Sequence, residues 1–322
     1  MSIDDLNYRH VETKNISGDV ATEVISDEDE KAQHILFYVK GIDESKVRVF
    51  ISRGNTKLGL LPNFNLPARS FMLNGQRVVT CPGASLLCRK VCYAQKGQYA
   101  HSNVIPLEYT VNYLVSLRDD FVPTMVKAIT DAEDQNEKLW ISTYHKRPQA
   151  KLFRLHTSGD FYSADYARKW LEIAKALPDV HFYAYTKAWI RFKNDEDVAD
   201  IEMTAAEVNA VNDEIMDVLR EVNALPNFQV LLSTDRTTGP VPDELLNAGF
   251  KEAGIDFAYA ALENRPVAKC LYQTTQETHL KGKGADKIED LIKEGKIYTC
   301  DRCGFCWDKT RYRDLNVFFK EH

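Results

Sequence analysis

From residue 151 to residue 262 the chain alternates between two kinds of hydrophobic segment. KLFRLH (151–156), VHFYAYT (180–186), FQVLLST (228–234) and IDFAYAAL (255–262) are short runs of branched and aromatic residues, the composition of buried strands. Between them lie SADYARKWLEIAKAL (163–177), TAAEVNAVNDEIMDVLREV (204–222) and PDELLNAGFKEAG (242–254), which read as helices. Ser163 and Thr204 stand where an N-cap is required, and the third segment ends at a glycine. Successive strands separated by helices are joined by crossovers, and crossovers make parallel sheets. The expected fold is therefore α/β, a partial (β/α) barrel of mostly parallel strands, with a small cysteine-rich C-terminal region attached.

Each of these strands runs directly into polar or reactive residues. The ends are His156-Thr157-Ser158-Gly159-Asp160, Tyr185-Thr186-Lys187, Ser233-Thr234-Asp235-Arg236 and Glu263-Asn264-Arg265. Ligands of parallel α/β folds sit at the carboxyl ends of the strands. One polar strand end is what any loop meeting water looks like. Four in succession point to a shared pocket.

The remaining chain divides by composition. Residues 1–33 are polar and acidic, which favours partial disorder. Residues 34–265 hold the barrel-like domain and 266–322 the cysteine-rich region. Within the domain, HILFYV (34–39) and KVRVFIS (46–52) read as strands, and the Gly, Asn and Pro residues from Arg53 to Gln76 as a long loop. From Pro106 to Ala132 the pattern is helical with an interruption at Pro123. The N-terminus carries no apolar core of a secretory signal, and no run approaches the roughly 18 apolar residues that span a bilayer. A net charge of −6 without a basic block disfavours non-specific nucleic-acid binding. The expected compartment is the cytosol (the host's, if the gene is a phage's), with no membrane partner. Disulfides are rare there, and clustered cysteines more often mean metal or redox chemistry.

The seven cysteines fall into two groups. Cys81, Cys88 and Cys92 occupy TCPGASLLCRKVCYA with spacing C-x6-C-x3-C. Cys300, Cys303 and Cys306 form C-x2-C-x2-C in YTCDRCGFCW, and Cys270 is placed to supply a fourth thiolate. Thiolates bind soft metals, so three in one turning loop suit either a zinc completed by His101 or a [4Fe-4S] cluster with one iron left open. The second group has the short steps of ferredoxin-type ligation, and Gly304 permits its tight turn. It suits an auxiliary iron–sulfur cluster or a structural zinc, with His279 as a spare ligand. Three thiolates with a vacancy plus four forming a closed site use every cysteine. That is the bookkeeping of a radical S-adenosylmethionine (SAM) enzyme with an auxiliary cluster, which needs a one-electron reductant.

The series SRGNTKLGLLPNFNLPA, TCPGASLLCRKVCYA, RLHTSGDFYSADYARKW, FYAYTKAW, LLSTD and TCDRCGFCW resembles the phage gene-product-eighty-eight family over about residues 46–310. The CYA segment is similar to radical-SAM-like phage proteins related to spore photoproduct lyase. Carried over, that resemblance implies the first cluster on Cys81, Cys88 and Cys92, and Ser158, Gly159 and Asp160 meeting the SAM amino group. Lys187, Asp235 and Arg236 then become candidates for the SAM carboxylate, the ribose or the substrate. The usual radical-SAM spacing is C-x3-C-x2-C with an aromatic before the last cysteine, whereas here Tyr93 follows it.

Arg53, Asn55, Lys57, Asn63 and Asn65 either line the same pocket or belong to an ordered surface loop. Tyr162, Tyr166, Trp170, Tyr183, Tyr185 and Trp189 read first as core and second as a stacking platform for a nucleobase. HKRPQAK (145–151) reads as a solvated basic patch. The leading expectation is an iron–sulfur, radical-SAM-like enzyme acting on a nucleotide, nucleic acid or peptide. The alternatives are a zinc protein that processes or binds nucleic acid, and a cluster-bearing redox or sensory protein without SAM chemistry.

Overall fold

The computed structural model describes residues 6–13, 16–27, 32–95, 102–254, 266–281 and 287–319. Two sheets organise them. The smaller runs in the order β1-β2-β3-β5-β6. Its strands are β1 (Arg9–Glu12), β2 (Ser17–Asp27), β3 (Ala32–Lys40), β5 (Ser70–Leu73) and β6 (Gln76–Val79), and all pairs are antiparallel except β3 with β5. The acidic N-terminal segment, expected to be partly disordered, thus supplies β1 and β2. Their ladder to β3 satisfies backbone groups that composition alone left to water.

The larger sheet contains β4 (Asn63–Phe64), β7 (Lys151–Leu155), β8 (Val180–Thr186), β9 (Phe228–Thr234), β10 (Lys251–Gly254), β11 (Val267–Lys269) and β12 (Asn316–Phe318). Its order is β11-β12-β10-β9-β8-β7-β4 and every pairing is parallel. Among the described residues β4 and β11 do not pair with each other, so these strands show a parallel sheet and no closed barrel. The C-terminal region is no appendage, because β11 and β12 extend the same sheet.

Alternation along the strands sorts the two faces. Phe153, Leu155, Phe182, Ala184, Val230 and Leu232 enter the main core with Trp170 and Ile173 of helix Ala164–Ala176 and Ile215 and Leu219 of helix Ala205–Ala224. Trp170 meets Phe64 and Phe121 edge-on, with ring centroids 5.6 and 5.8 Å away. Burying each large side chain contributes about 1.5–3 kcal/mol. Both helices start as their sequences require. The Ser163 hydroxyl accepts from the Tyr166 N–H, and Thr204 forms a reciprocal capping box with Glu207. The opposite face presents Leu152, Tyr183, Leu231 and Ala253 to a second core containing Leu58, Leu61 and Trp307.

Three expectations are corrected. KVRVFIS is not a strand of either sheet; its backbone groups find other partners. The Asn112 side chain accepts from Phe50 N (2.8 Å) and donates to Phe50 O (2.9 Å), and Ser52 makes an isolated bridge to Asn63. The helical segment after Pro106 is two helices, Val104–Leu117 and Phe121–Tyr144, with Pro123 in the first turn of the second, where no donor is needed. PDELLNAGFKEAG is helical only over Asp243–Asn247; Gly249 turns at φ +87°, and Lys251–Gly254 is β10. Lys251 and Glu252 look like helix surface in sequence, yet both are buried with partners. Lys251 Nζ donates to Phe305 O (3.2 Å), and Glu252 Oε1 accepts from Thr234 Oγ1 (2.7 Å). IDFAYAAL, Glu263, Asn264, Arg265 and His101 lie outside the described residues.

Candidate functional site

At the carboxyl ends of the parallel strands lies a cavity of about 320 Å3. All seven cysteines line it, and none is in a disulfide. Two groups separated by almost two hundred residues of chain (Cys92 to Cys270) therefore face one volume.

The hairpin β5–β6 delivers the first group. The Arg69 carbonyl accepts the N–H groups of Thr80 (2.8 Å) and Cys81 (3.1 Å), while its own N–H donates to Cys81 Sγ at 3.2 Å. Ser85 caps helix Leu86–Val91, which carries Cys88, by accepting from the Cys88 N–H. The Ser85 hydroxyl in turn donates to Asp235 Oδ2 (2.5 Å), which also takes Lys187 Nζ at 2.9 Å. The end of β9 thus sets the cap of the cysteine helix. Burial pushes Asp235 up, but the Lys187 charge and the hydrogen bonds from Ser85, Thr237 and Lys187 outweigh it and hold the carboxyl below its usual range. Asp160 ties the loop to the next strand end. Its N–H donates to Thr80 O (3.1 Å), and its carboxylate accepts from Lys187 N (2.9 Å) and Phe161 N (2.7 Å). Burial nevertheless raises its pKa to about 6. Gly83 lies against Lys187, where a Cβ would stand 2.3 Å from the carbonyl oxygen.

The second group packs across the sheet's other face. Cys300 N donates to Lys57 O (3.0 Å) and Asp301 N to Leu58 O (3.2 Å), and Asp301 Oδ2 accepts from Leu60 N (2.8 Å). Gly304 turns the chain at φ +85°. Cys270 follows β11, and its N–H donates to Phe318 O of β12 at 2.8 Å. Tyr185 of β8 donates its hydroxyl to Cys306 Sγ at 3.0 Å.

Burial raises the pKa of every cysteine in the first group, with Cys92 reaching about 12 and the negative charge of Asp160 adding to the rise at Cys81. At Cys88 the Lys187 charge works against the rise. In the second group burial raises Cys300 to about 12; burial also raises Cys303 and Cys306, with Cys306 adding to the rise at Cys303 and Cys270 to that at Cys306.

The donor chemistry is that of a soft-metal site, but not of a single ion. Among the described residues no three His, Cys, Asp or Glu side chains are disposed to hold one metal ion. A zinc requires four donors at about 2.3 Å for sulfur, so the residues as placed do not fit it. An iron–sulfur cluster takes each thiolate on a different iron and needs donors around a volume rather than a point. All seven cysteine side chains border the cavity. Cys81, Cys88 and Cys92 would hold one such group and Cys270, Cys300, Cys303 and Cys306 a second.

Ser158, Gly159, Asp160, Lys187 and Asp235 line the cavity as the sequence indicated. Gly159 also has a packing reason: at φ +82° a Cβ would stand 2.6 Å from Leu66 Cβ. Arg236 is exposed and does not line the cavity. Of the loop candidates only Lys57 reaches it. Asn63 and Asn65 instead stitch the interior, with Asn65 Oδ1 accepting from Thr157 N (2.8 Å). His156 adjoins the cavity at φ +57°, but its Nε2 bonds the Tyr166 hydroxyl (2.9 Å) and burial, with the Arg154 charge, lowers its pKa to about 3. Tyr183 and Tyr185, taken mainly as core, line the cavity, whereas Tyr162, Tyr166 and Trp170 pack away from it. Sequence reasoning missed Arg154. Its signal was a charge two places from Leu152, on the inward face of a buried strand.

The Gene product 88 family profile matches residues 49–309. The chain belongs to that family. The match spans all seven cysteines and stops short of β1–β3 and β12, so it covers most of the cavity wall and most of the parallel sheet. A Gene 88 protein of Mycobacterium phage L5 is 27% identical over 269 residues, covering 83% of this chain and 89% of that relative. A Gene 88 protein of Mycobacterium phage D29 is 26% identical over 257 residues, covering 79% and 85%. No solved structure matches. Among the described residues no helix is long and apolar enough to cross a membrane.

Proposed function

We propose that this member of the family is an iron–sulfur enzyme of the radical-SAM kind, its parallel sheet acting as the partial barrel of that class. The observation that carries the reading is the convergence of all seven free thiols on one cavity at the carboxyl ends of parallel strands. In this reading a [4Fe-4S] cluster on Cys81, Cys88 and Cys92, supplied with an electron by an external reductant, provides reductive cleavage of SAM. The chain's own residues position, shield and tune. Arg69 N–H and Tyr185 OH each donate to a cysteine sulfur, one per group, and such bonds raise a cluster's reduction potential. The Asp235–Ser85 bond fixes the helix that carries Cys88. Lys187 is held by Asp235 and Asp160 is held by backbone N–H groups, so both stand ordered at the cavity edge before any ligand arrives. Cys270, Cys300, Cys303 and Cys306 would hold an auxiliary cluster.

Anaerobic purification with iron, sulfide and zinc analysis tests the reading. About eight irons per chain with a broad absorption near 400 nm is expected for two [4Fe-4S] thiolate clusters. Release of 5′-deoxyadenosine from SAM under reduction then separates a SAM enzyme from a redox or sensory protein that only carries clusters. A colourless, zinc-loaded protein overturns the proposal.

A further inference from the structure

Lys187, one of the two cations the sequence offered for holding an anion, is already neutralised by Asp235 at 2.9 Å, and both side chains are largely buried. A different cation is not. Arg154 of β7 lines the cavity, and its Nε is buried without a hydrogen-bond partner. Its guanidinium sits over the Tyr185 ring at 4.9 Å and near the Tyr183 ring at 5.8 Å. No carboxylate forms an ion pair with it among the described residues. The carboxylates on the cavity wall, Asp160 and Asp235, are committed to Phe161 and Lys187 N–H groups and to the Lys187 ammonium. Lys57 adds a second cation to the wall, resting 4.8 Å from the Phe319 ring. A guanidinium does not lose its proton, and leaving it buried without a counter-charge is costly. Two tyrosine rings recover part of that cost but offer no acceptor in the plane of the fork. The space above Arg154 is roomy and mostly walled by apolar and aromatic groups, the make-up of a small-molecule pocket.

We propose that Arg154 is the anion-binding residue of this cavity and takes the phosphate or carboxylate of a small ligand through a bidentate contact, with Lys57 as the second positive wall. The assignment does not require the iron–sulfur reading, since it rests on an unpaired cation and not on the thiols. It does specify the substrate class that reading left open: a small molecule with a terminal anionic group rather than a neutral one.

The experiment is calorimetric titration of the protein as purified, with its iron content measured on the same sample. Inorganic phosphate and succinate serve as probes, and the intrinsic tryptophan fluorescence, to which Trp307 on the cavity wall contributes, provides a second signal. At least one probe is expected to bind saturably with Kd below about 10 mM; which of the two binds distinguishes a phosphate from a carboxylate ligand. Arg154→Gln should weaken that binding by about 10- to 100-fold, the usual range for a lost charge-assisted hydrogen bond. Arg154→Lys, which keeps the charge and loses the fork, should fall between the two, and it carries the test if Arg154→Gln does not fold. Absence of binding of either probe to the unsubstituted protein overturns the proposal. So does unchanged binding in the variants. Loss of iron from Arg154→Gln with anion binding intact overturns it as well, because Arg154 would then be a counter-charge for the Cys300 group. Iron-free protein that still binds the anion through Arg154 sinks the proposed function and leaves this assignment standing.

Discussion

The two cysteine groups share a cavity but are held in different ways. Cys81, Cys88 and Cys92 sit on a loop and a short helix clamped from outside by side chains at strand ends: Asp160, Lys187 and Asp235. Cys300, Cys303 and Cys306 belong to a segment that is itself part of a core, with Cys300 and Cys306 packed beside Leu58, Leu61, Tyr183, Leu231 and Trp307. The first group is positioned by polar contacts that can be edited singly. The second also acts as the lining of one sheet face, so its removal exposes apolar surface as well as losing ligands.

The largest effect should separate these roles. Cys88→Ala is expected to abolish deoxyadenosine release and to remove about half the iron while leaving thermal unfolding nearly unchanged. Cys303→Ala is expected to lower the melting temperature and to raise proteolysis of the region after residue 266. Equal destabilisation in both variants would break the comparison. Next in size is Asp235→Asn, which leaves Lys187 charged with its ion-pair partner removed and uncouples Ser85 from the end of β9. Breaking such a buried pair costs about 3–5 kcal/mol, read as a shift of the denaturant midpoint, and iron loss should be confined to the first group. Gly83→Ala forces a methyl onto the Lys187 carbonyl and should cost about 1–3 kcal/mol, again with loss of first-group iron and retention of the second.

Tyr185→Phe removes the hydroxyl donated to Cys306 and should cost about 1 kcal/mol. The reduction potential of the second group should drop and that of the first should not change. The last prediction supplies a background against which pH effects at the site are measured. Glu133, on the helix Phe121–Tyr144, is raised by burial to about 8 from 4.5, with the Lys151 charge opposing. The folded state holds this proton more tightly than the unfolded one. Its contribution is therefore full below about pH 4.5 and is lost as pH climbs through about 8. Glu133→Gln should flatten the fall in stability between those limits, as followed by urea melts at several pH values. An unflattened curve assigns the titration to another group.

Much of the sheet was legible because its strands obey a local rule. β7, β8 and β9 and the two capped helices between them are set by periodicity and by Ser163 and Thr204, which need no knowledge of the rest. β10 was not legible, because Lys251 and Glu252 read as solvated until Phe305 and Thr234 are known to meet them, and those partners come from distant parts of the chain. KVRVFIS failed for a related reason: Asn112, far along the chain, substitutes for a neighbouring strand. At the site, residue type was informative and direction was not. The cysteines and the strand-end Asp160, Lys187 and Asp235 announce themselves, but that Lys187 is spent on Asp235 and Arg154 is not can be known only once both face the same space.

The position of β12 bears on the edge of the cavity. This strand comes after β11 in the chain and yet lies between β10 and β11 in the sheet. Among the described residues β12 is the strand that pairs with β11, and its Phe318 carbonyl accepts the Cys270 N–H, so this edge of the cavity is complete only with the last described strand in place. A cluster held as proposed would lie behind that strand. Extracting it would require prising that strand out.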